Sequence, residues 1–334
     1  MPKVLITREI PQAGINILEQ YPELKLDYRK GPPLSEAKLL EAIKDVDAIL
    51  PVIPDTIDKK VINAGKKLKV IATYSVGFSR IDVETATKKK IFVANTPGNL
   101  TESVAEHVIA LMLSVGKHTA IADKFCRDGK YKYWDPMLFV GPKFMNETIG
   151  IIGFGRIGQQ VARIAKHGFN MKVLYNDVIQ HGEAENLLDA KKVDLDTLLQ
   201  NSDIISINCN LCESTHHLIG ERELKKMKPF GILINTARGP VVNEEALVNA
   251  LEENWILGAG IDVYENEPEI HPTLKKLENV VLTPHIASST WEARIQMARM
   301  AAENIVDVLI NNKPPRYIVN KELSKNYDNI SSIA

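Results

Sequence analysis

Short apolar runs rich in Val, Ile and Leu alternate along the chain with segments in which apolar residues recur at three- and four-residue spacing. The first pattern is typical of buried parallel strands, and the second of amphipathic helices that cover them. Their alternation predicts an α/β fold with parallel sheets. In the first hundred residues, strands are predicted at 4–7, 24–28, 47–50, 69–73 and 91–94.

A second series of strands and helices begins near residue 148, with a strand at 149–152 followed by strands at 172–175, 203–208, 231–235, 258–261 and 280–282. Long helices are predicted at 101–118, capped by Thr101 or Asn99, and at 289–311, where Pro314 and Pro315 follow the end of the helix. A shorter helix is predicted at 35–44, with Ser35 as its N-cap.

An aromatic segment with little periodicity, residues 122–145, separates the two series and contains Phe125, Tyr131, Tyr133, Trp134, Phe139 and Phe144. Exposing so many rings to water is unfavourable. The segment therefore packs either against its own chain or against a second subunit, and the sequence leaves both alternatives open.

The length of 334 residues exceeds what one hydrophobic core usually holds, so two domains are expected. A balance of 41 basic and 42 acidic residues gives a formal net charge of −1, which argues against nucleic acid or an anionic membrane as partner and favours small molecules. We find neither an apolar run long enough to span a bilayer nor a secretory signal, so we expect a cytoplasmic protein.

The chain has three cysteines, of which Cys209 and Cys212 have C-x-x-C spacing. An odd, small number of cysteines fits a reducing compartment without disulfides. One such pair cannot complete a four-ligand zinc site, so we expect no metal and interpret the spacing as coincidence rather than redox chemistry.

A glycine motif, Gly153-x-Gly155-x-x-Gly158, joins the strand at 149–152 to a helix predicted at 159–166. In this context G-x-G-x-x-G indicates a dinucleotide site: the glycines allow a tight turn, close approach of a pyrophosphate and close helix packing. The phosphates would bind at the helix N-terminus, where Arg156 could add positive charge.

An acidic residue, Asp177, follows the next predicted strand. Its carboxylate can accept hydrogen bonds from the ribose hydroxyls of NAD and would repel the additional phosphate of NADP. Residues 178–181 supply no Arg or Lys for that phosphate, so the sequence predicts NAD, with NADP as the weaker alternative.

The chain resembles the D-isomer-specific 2-hydroxyacid dehydrogenases, particularly the glyoxylate/hydroxypyruvate reductase-like members, over about residues 1–320. Besides the glycine motif, the resemblance is carried by residues 74–82 (YSVGFSRID), 95–107 (NTPGNLTESVAEH), 234–239 (INTARG), 260–268 (GIDVYENEP) and 283–288 (TPHIAS).

This resemblance implies a hydride-transfer site formed by Arg238, Glu267 and His285. Arg238 offers a planar fork that can bind the carboxylate of a 2-oxo acid and polarise its carbonyl group. His285 can exchange a proton with the carbonyl oxygen, because the reference pKa of a histidine, about 6.5, is close to working pH. Glu267 would orient the imidazole and favour its protonated form.

The resemblance implies further contacts. For the substrate it implies the backbone of Val76 and Gly77, with Leu50 and Trp134 as weaker candidates; Trp134 lies in the segment that reaches across the dimer in similar proteins. For the cofactor it implies Thr101, Ile157, Cys209, Asn210, Thr215, Thr236, Ala237, Asp262 and Ala287. The run Asn208-Cys209-Asn210 departs from the family's usual pattern at the adenine side.

The implied architecture is two Rossmann-like domains, with the NAD-binding domain, residues 99–288, inserted into a flavodoxin-like substrate domain, residues 1–98 and 289–334. We expect a homodimeric NAD-dependent enzyme that interconverts small 2-oxo acids, with glyoxylate and hydroxypyruvate as the leading substrates, and D-2-hydroxy acids. Alternatives are a D-lactate or D-2-hydroxyisocaproate type dehydrogenase and phosphoglycerate dehydrogenase, although few residues follow Asn320 for a regulatory domain. An NADH-sensing protein similar to co-repressors of this fold is the alternative from another class.

Overall fold

The computed structural model describes residues 1–98 and 100–324. Its strands are β1 (Lys3–Ile6), β2 (Lys25–Tyr28), β3 (Ala48–Leu50), β4 (Val70–Ala72), β5 (Phe92–Ala94), β6 (Thr148–Ile152), β7 (Lys172–Asn176), β8 (Ala190–Lys192), β9 (Ile204–Ile207), β10 (Ile232–Asn235), β11 (Gly258–Ile261) and β12 (Val280–Leu282).

Its helices are α1 (Gln12–Glu19), α2 (Glu36–Ala42), α3 (Lys59–Ala64), α4 (Val83–Lys88), α5 (Leu100–Gly116), α6 (Thr119–Arg127), α7 (Arg156–Phe169), α8 (Gly182–Leu188), α9 (Leu195–Asn201), α10 (Glu221–Leu224), α11 (Glu244–Glu252) and α12 (Trp291–Leu309). The chain divides into two compact units: unit 1 is residues 1–100 together with the chain from residue 289, and unit 2 is residues 101–288.

Unit 1 contains a parallel sheet with the order β2-β1-β3-β4-β5. This is the order of a flavodoxin-like, doubly wound sheet, which confirms the predicted fold class. Alternate strand residues such as Leu5 and Ile49 pack with Val61 of α3. Helices α1 and α12 pack so closely that a side chain at Gly14 would come 2.6 Å from the carbonyl oxygen of Ala298.

Unit 2 contains a parallel sheet with the order β8-β7-β6-β9-β10-β11-β12. Chain order reverses between β6 and β9, and such a switch point opens a crevice at the carboxyl ends of the strands. Consecutive residues of one strand, such as Ile204 and Ile205, belong to two different core clusters. Helices therefore cover both faces of this sheet, as its nearly continuous apolar strands predict.

Several predicted boundaries need correction. Ser35 caps α2 as predicted and accepts a hydrogen bond from the amide of Lys38. Thr101 lies inside α5 and therefore is not its N-cap, whereas the alternative cap, Asn99, lies outside the described residues. Strand β8 and helix α6 were not predicted. In the part of the chain that the structure describes, we find no helix of the length and apolarity that a bilayer crossing requires.

The structure places part of the aromatic segment against its own chain and leaves the rest exposed. The Phe125 and Phe139 rings meet edge to face, with centroids 5.5 Å apart, and Phe144 is buried in the core of unit 2. By contrast, Tyr133 and Trp134 are 74% and 75% exposed. Part of the segment thus packs on its own unit, and part presents apolar surface to the outside.

Candidate active site

The glycine motif forms a tight turn at the carboxyl end of β6. Gly153 has φ +86, and a Cβ there would meet the backbone nitrogen of Cys209 at 2.6 Å. A Cβ at Gly158 would come 2.3 Å from the carbonyl oxygen of Gly153. Neither position can carry a side chain, so the turn depends on both glycines.

Gly155 has a different environment, because among the described residues no atom beyond its own chain neighbours and helix backbone lies within 4 Å of the Cβ position there. It is the N-cap of α7, whose first residues are Arg156 and Ile157 and whose first turn contains no acidic residue. An open position over free helix amides fits a pyrophosphate, which the helix dipole and these N–H groups would bind.

Asp177 lies beside this turn. Its Oδ2 accepts a hydrogen bond of 2.6 Å from the Phe154 amide, and its Oδ1 accepts one from the Ile179 amide. The imidazole Nε2 of His181 lies 3.6 Å from Oδ2. Burial alone would raise the pKa of Asp177, but the two amides and His181 lower it below its ordinary value, so the side chain is a carboxylate at neutral pH.

The loop after β9 contains the predicted adenine-side residues Cys209, Asn210 and Thr215. The backbone of Cys209 packs against Gly153, and the Thr215 hydroxyl donates to the Asn210 carbonyl at 2.6 Å. The structure thus brings this loop to the glycine turn. The C-x-x-C residues differ: burial raises the pKa of the Cys209 thiol to about 11, whereas Cys212 is exposed.

Arg238 follows the carboxyl end of β10. The buried Asn235 side chain holds the turn, accepting from the Ala237 amide at 3.0 Å and donating to the Arg238 carbonyl at 3.0 Å. Thr236 is half-buried in the same turn. Burial lowers the pKa of Arg238, and the negative charge of Glu267 opposes that shift. The guanidinium is thus a partly desolvated cation near a carboxylate.

Glu267 and His285 form a hydrogen-bonded pair. The His285 Nδ1–H donates to Glu267 Oε2 at 2.9 Å, and Glu267 Oε1 accepts from the Tyr264 amide at 3.1 Å. Burial would raise the pKa of Glu267, but His285, the Tyr264 amide and the charge of Arg238 together lower it. The carboxylate stays ionised and directs the Nε2 of His285 away from itself.

Asp262 supports the turn that carries His285. It is fully buried, and its carboxylate accepts from the Ile286 amide and the Ala287 amide at 2.8 Å each. Burial would raise the pKa of Asp262, whereas the nearby imidazole of His107, with Nε2 3.6 Å away, and hydrogen bonds from Thr283 and these amides lower it. His285 itself has φ +55, an uncommon backbone conformation that this network maintains.

His107 is a residue that the sequence reasoning missed. Its Nε2 lies 3.1 Å from the hydroxyl of Thr283, which in turn donates to Asp262 at 2.6 Å. Since the hydroxyl proton is directed to Asp262, the His107 N–H donates to Thr283. His107 lies in α5 and contacts a residue 176 positions away in the chain, so the contact has no local signal in the sequence.

The residues predicted to contact the substrate include Leu50, Val76 and Gly77, which belong to unit 1. Leu50 is fully buried at the end of β3 in unit 1, and Val76 is 38% exposed on the loop after β4. The carbonyl of Gly77 accepts from the Ser75 hydroxyl at 2.6 Å. Thr101, which was predicted to contact the cofactor, belongs to α5 in unit 2. These candidates remain predictions.

A dinucleotide-type glycine turn, together with an arginine, a carboxylate and an imidazole at the carboxyl ends of β10, β11 and β12, defines a dinucleotide-dependent dehydrogenase. Residues 109–287 match the model of the D-isomer specific 2-hydroxyacid dehydrogenase NAD binding domain. The chain is 47% identical, over 96% of its length and 98% of the relative's, to a glyoxylate reductase of Thermococcus litoralis.

Solved structures of similar proteins have the same fold. The TT0316 protein from Thermus thermophilus superposes with a TM-score of 0.89 at 37% identity, covering 95% of this chain and 99% of that one. A glyoxylate reductase from Paecilomyes thermophila gives a TM-score of 0.82 at 31% identity, with coverages of 96% and 99%. The chain belongs to the D-isomer specific 2-hydroxyacid dehydrogenase family. It is an oxidoreductase that acts on CH–OH groups and uses a nicotinamide cofactor.

Proposed function

We propose that this enzyme reduces glyoxylate and similar small 2-oxo acids, including hydroxypyruvate and pyruvate-like acids, to D-2-hydroxy acids. The observation that carries the proposal is the Glu267–His285 pair, held at 2.9 Å beside a partly desolvated Arg238. Similarity to the glyoxylate reductases of Thermococcus litoralis and Paecilomyes thermophila supports glyoxylate as substrate.

Each side chain has a distinct task in the proposed mechanism. Arg238 binds the substrate carboxylate with its guanidinium fork, which orients the adjoining carbonyl group. The nicotinamide, when bound, supplies the hydride. The protonated His285 donates its Nε2 proton to the carbonyl oxygen, and solvent later restores that proton. Glu267 stabilises the imidazolium through Nδ1, which keeps His285 ready to donate again.

We propose NAD rather than NADP as the preferred cofactor. Gly153, Gly155, Arg156 and the start of α7 would hold the pyrophosphate, and the ionised Asp177 would accept from the ribose hydroxyls. The same negative charge would repel a 2′-phosphate. No Arg or Lys occurs between residues 178 and 181 to offset it.

Unit 2 is accordingly proposed as the cofactor domain and unit 1 as the substrate domain, with the Val76 and Gly77 backbone on the substrate side. We also propose a homodimer in which a second copy covers the exposed part of the aromatic segment, where Tyr131, Tyr133, Trp134, Met137 and Val140 are all more than half exposed. A cytoplasmic location is supported by three free cysteines.

A kinetic panel tests the proposed function. Glyoxylate, hydroxypyruvate, pyruvate and longer 2-oxo acids are each assayed with NADH and with NADPH, and we expect the largest kcat/KM for glyoxylate or hydroxypyruvate with NADH. A larger kcat/KM for pyruvate or branched acids would indicate a D-lactate or D-2-hydroxyisocaproate type enzyme. Activity only in the oxidation of 3-phosphoglycerate would indicate a phosphoglycerate dehydrogenase. Calorimetric NADH binding without any turnover would favour an NADH sensor and contradict the proposal.

A further inference from the structure

A second histidine–carboxylate pair in unit 2 lies outside the acid–base pair. The Nε2 of His217 is 2.7 Å from Oε1 of Glu265, and both side chains are about one-third to one-quarter exposed, at 32% and 25%. Because a carboxylate only accepts hydrogen bonds, the ring donates its Nε2–H to Glu265.

The other ring nitrogen of His217 is also engaged. The Asn243 side-chain amide lies 3.4 Å from Nδ1, while the Oδ1 of Asn243 accepts from the Ala246 amide at 2.9 Å. That second bond fixes the orientation of the Asn243 side chain, so its NH₂ group faces Nδ1. A ring with both nitrogens bound in this way has no site left for proton exchange with a substrate.

His217 connects two segments that carry active-site residues. Its backbone amide donates to the carbonyl of Pro240 at 2.8 Å, two residues after Arg238. Its imidazole bonds to Glu265, two residues before Glu267. One residue is thus hydrogen-bonded to both turns.

The two turns and the start of α11 also contact one another directly. Glu265 and Glu244 exchange hydrogen bonds, each carboxylate accepting from the other's amide at 3.0 to 3.1 Å. A Cβ at Gly239 would come 2.0 Å from the carbonyl of Tyr264, so the backbone after Arg238 lies directly on this loop. Small shifts of Glu265 would therefore be transmitted to Glu267.

We propose that His217 is a positioning residue, which fixes the guanidinium of Arg238 relative to the Glu267–His285 pair by joining their two turns. This inference rests on the proposed roles of those three residues. Substrate can still bind to Arg238 when the connection is loosened, but its carbonyl group is then less well aligned with the imidazole. Loss of alignment lowers kcat more than it raises KM.

The test compares three variants with the wild type. His217→Leu removes both ring hydrogen bonds, His217→Gln retains a donor for Glu265, and His216→Leu is the matched control. His216 is exposed, its ring lies 4.1 Å from that of His217, and its side chain makes no hydrogen bond with residues of the described chain. For each protein we measure kcat and KM for glyoxylate, NADH affinity by calorimetry, and melting temperature.

We expect kcat to fall about tenfold in His217→Leu, with KM and NADH affinity within about twofold of the wild type. His217→Gln should recover most of kcat, and His216→Leu should resemble the wild type. A His217→Leu kcat within twofold of wild type, an equal loss in His216→Leu, or a loss confined to KM would overturn the proposal.

Two further outcomes keep the test decisive. If His217→Leu does not fold, Glu265→Gln takes its place: glutamine has one acceptor oxygen for the two N–H groups, of His217 and the Glu244 amide, that the carboxylate accepts from, and an unchanged kcat would contradict the inference. If the wild type turns over none of the 2-oxo acids, the proposed function fails. In that case the melting temperatures still test the inference. Equal melting temperatures for His217→Leu and His216→Leu would show that His217 does not join the two turns.

Discussion

Two histidine–carboxylate pairs of unit 2, His285–Glu267 and His217–Glu265, are alike in distance and differ in what the second ring nitrogen contacts. His285 contacts Glu267 at 2.9 Å through Nδ1, and within residues 1–98 and 100–324 its Nε2 has no hydrogen-bond partner. His217 contacts Glu265 at 2.7 Å through Nε2, and Asn243 binds its other nitrogen. We infer that a short imidazole–carboxylate distance does not by itself identify a proton donor, and that the proposed donor, His285, differs from His217 in what its second ring nitrogen contacts.

The largest expected effect separates the two pairs directly. His285→Ala removes the proposed proton donor, so we expect kcat for glyoxylate to fall about 100-fold or more, well beyond the loss in His217→Leu. NADH affinity, measured by calorimetry, should stay near the wild-type value. Similar losses in both variants would mean that the two histidines have been given the wrong roles.

The next largest effect concerns Arg238, whose charge acts on Glu267 of the Glu267–His285 pair. Arg238→Ala should lower kcat/KM for glyoxylate about 100-fold, because the carboxylate loses its planar, charged partner. Arg238→Lys is the matched variant that keeps charge without the fork, and steady-state kinetics should show only partial recovery. Full recovery in the lysine variant would show that charge alone suffices.

Another histidine near a carboxylate, His181 beside Asp177, extends the comparison to the glycine turn of unit 2. Replacing Asp177 by Ser and Val178 by Arg removes a negative charge and adds a positive one. The ratio of kcat/KM for NADPH to that for NADH should rise about tenfold or more. Asp189→Ser, at a carboxylate that is 87% exposed, should leave the ratio unchanged. An unchanged ratio in the double variant would mean that Asp177 does not face the ribose.

The smallest expected effect is a change in the reactivity of the Cys212 thiol, in the loop that precedes His217. The Ser214 hydroxyl, 3.2 Å from the Cys212 Sγ, is the main contact that lowers the pKa of Cys212 to about 7. Since the thiolate is the reactive form, iodoacetamide labelling of Cys212 should rise with pH, reach half its maximum near pH 7 and level off above it. Mass spectrometry of labelled peptides measures this, with the exposed Cys126 as internal control. In Ser214→Ala the midpoint should move to higher pH; an unmoved midpoint would exclude the hydroxyl as the cause.

Much of the fold was predictable because its signals are local. Buried apolar strands such as β10 and β11 appear as continuous runs of apolar residues, and the glycine turn requires residue types that few other structures need. Strand β8 was missed because this short edge strand contains two lysines, which suit an edge and hide its periodicity. Helix α6 was missed because the aromatic residues around it obscured its spacing.

The site was predictable to a lesser degree. Arg238, Glu267 and His285 are recognisable because each follows a predicted strand within a distinctive motif, and the structure brings Glu267 and His285 into contact. The supporting contacts of His107 and His217 join residues far apart in the chain, for example 48 positions between His217 and Glu265. Adjacent histidines before an apolar run were the available signal for His217, and without coordinates that signal does not distinguish it from its exposed neighbour.

Strands β10, β11 and β12 are neighbours in one sheet, and the residues proposed for the chemistry all follow their carboxyl ends. The side chains proposed for the chemistry therefore all belong to unit 2, and none belongs to the unit that contains the β1–β5 sheet. On the proposed division of roles, grafting a different first unit onto residues 101–288 should change which acids are accepted and leave the proposed proton-transfer residues in place.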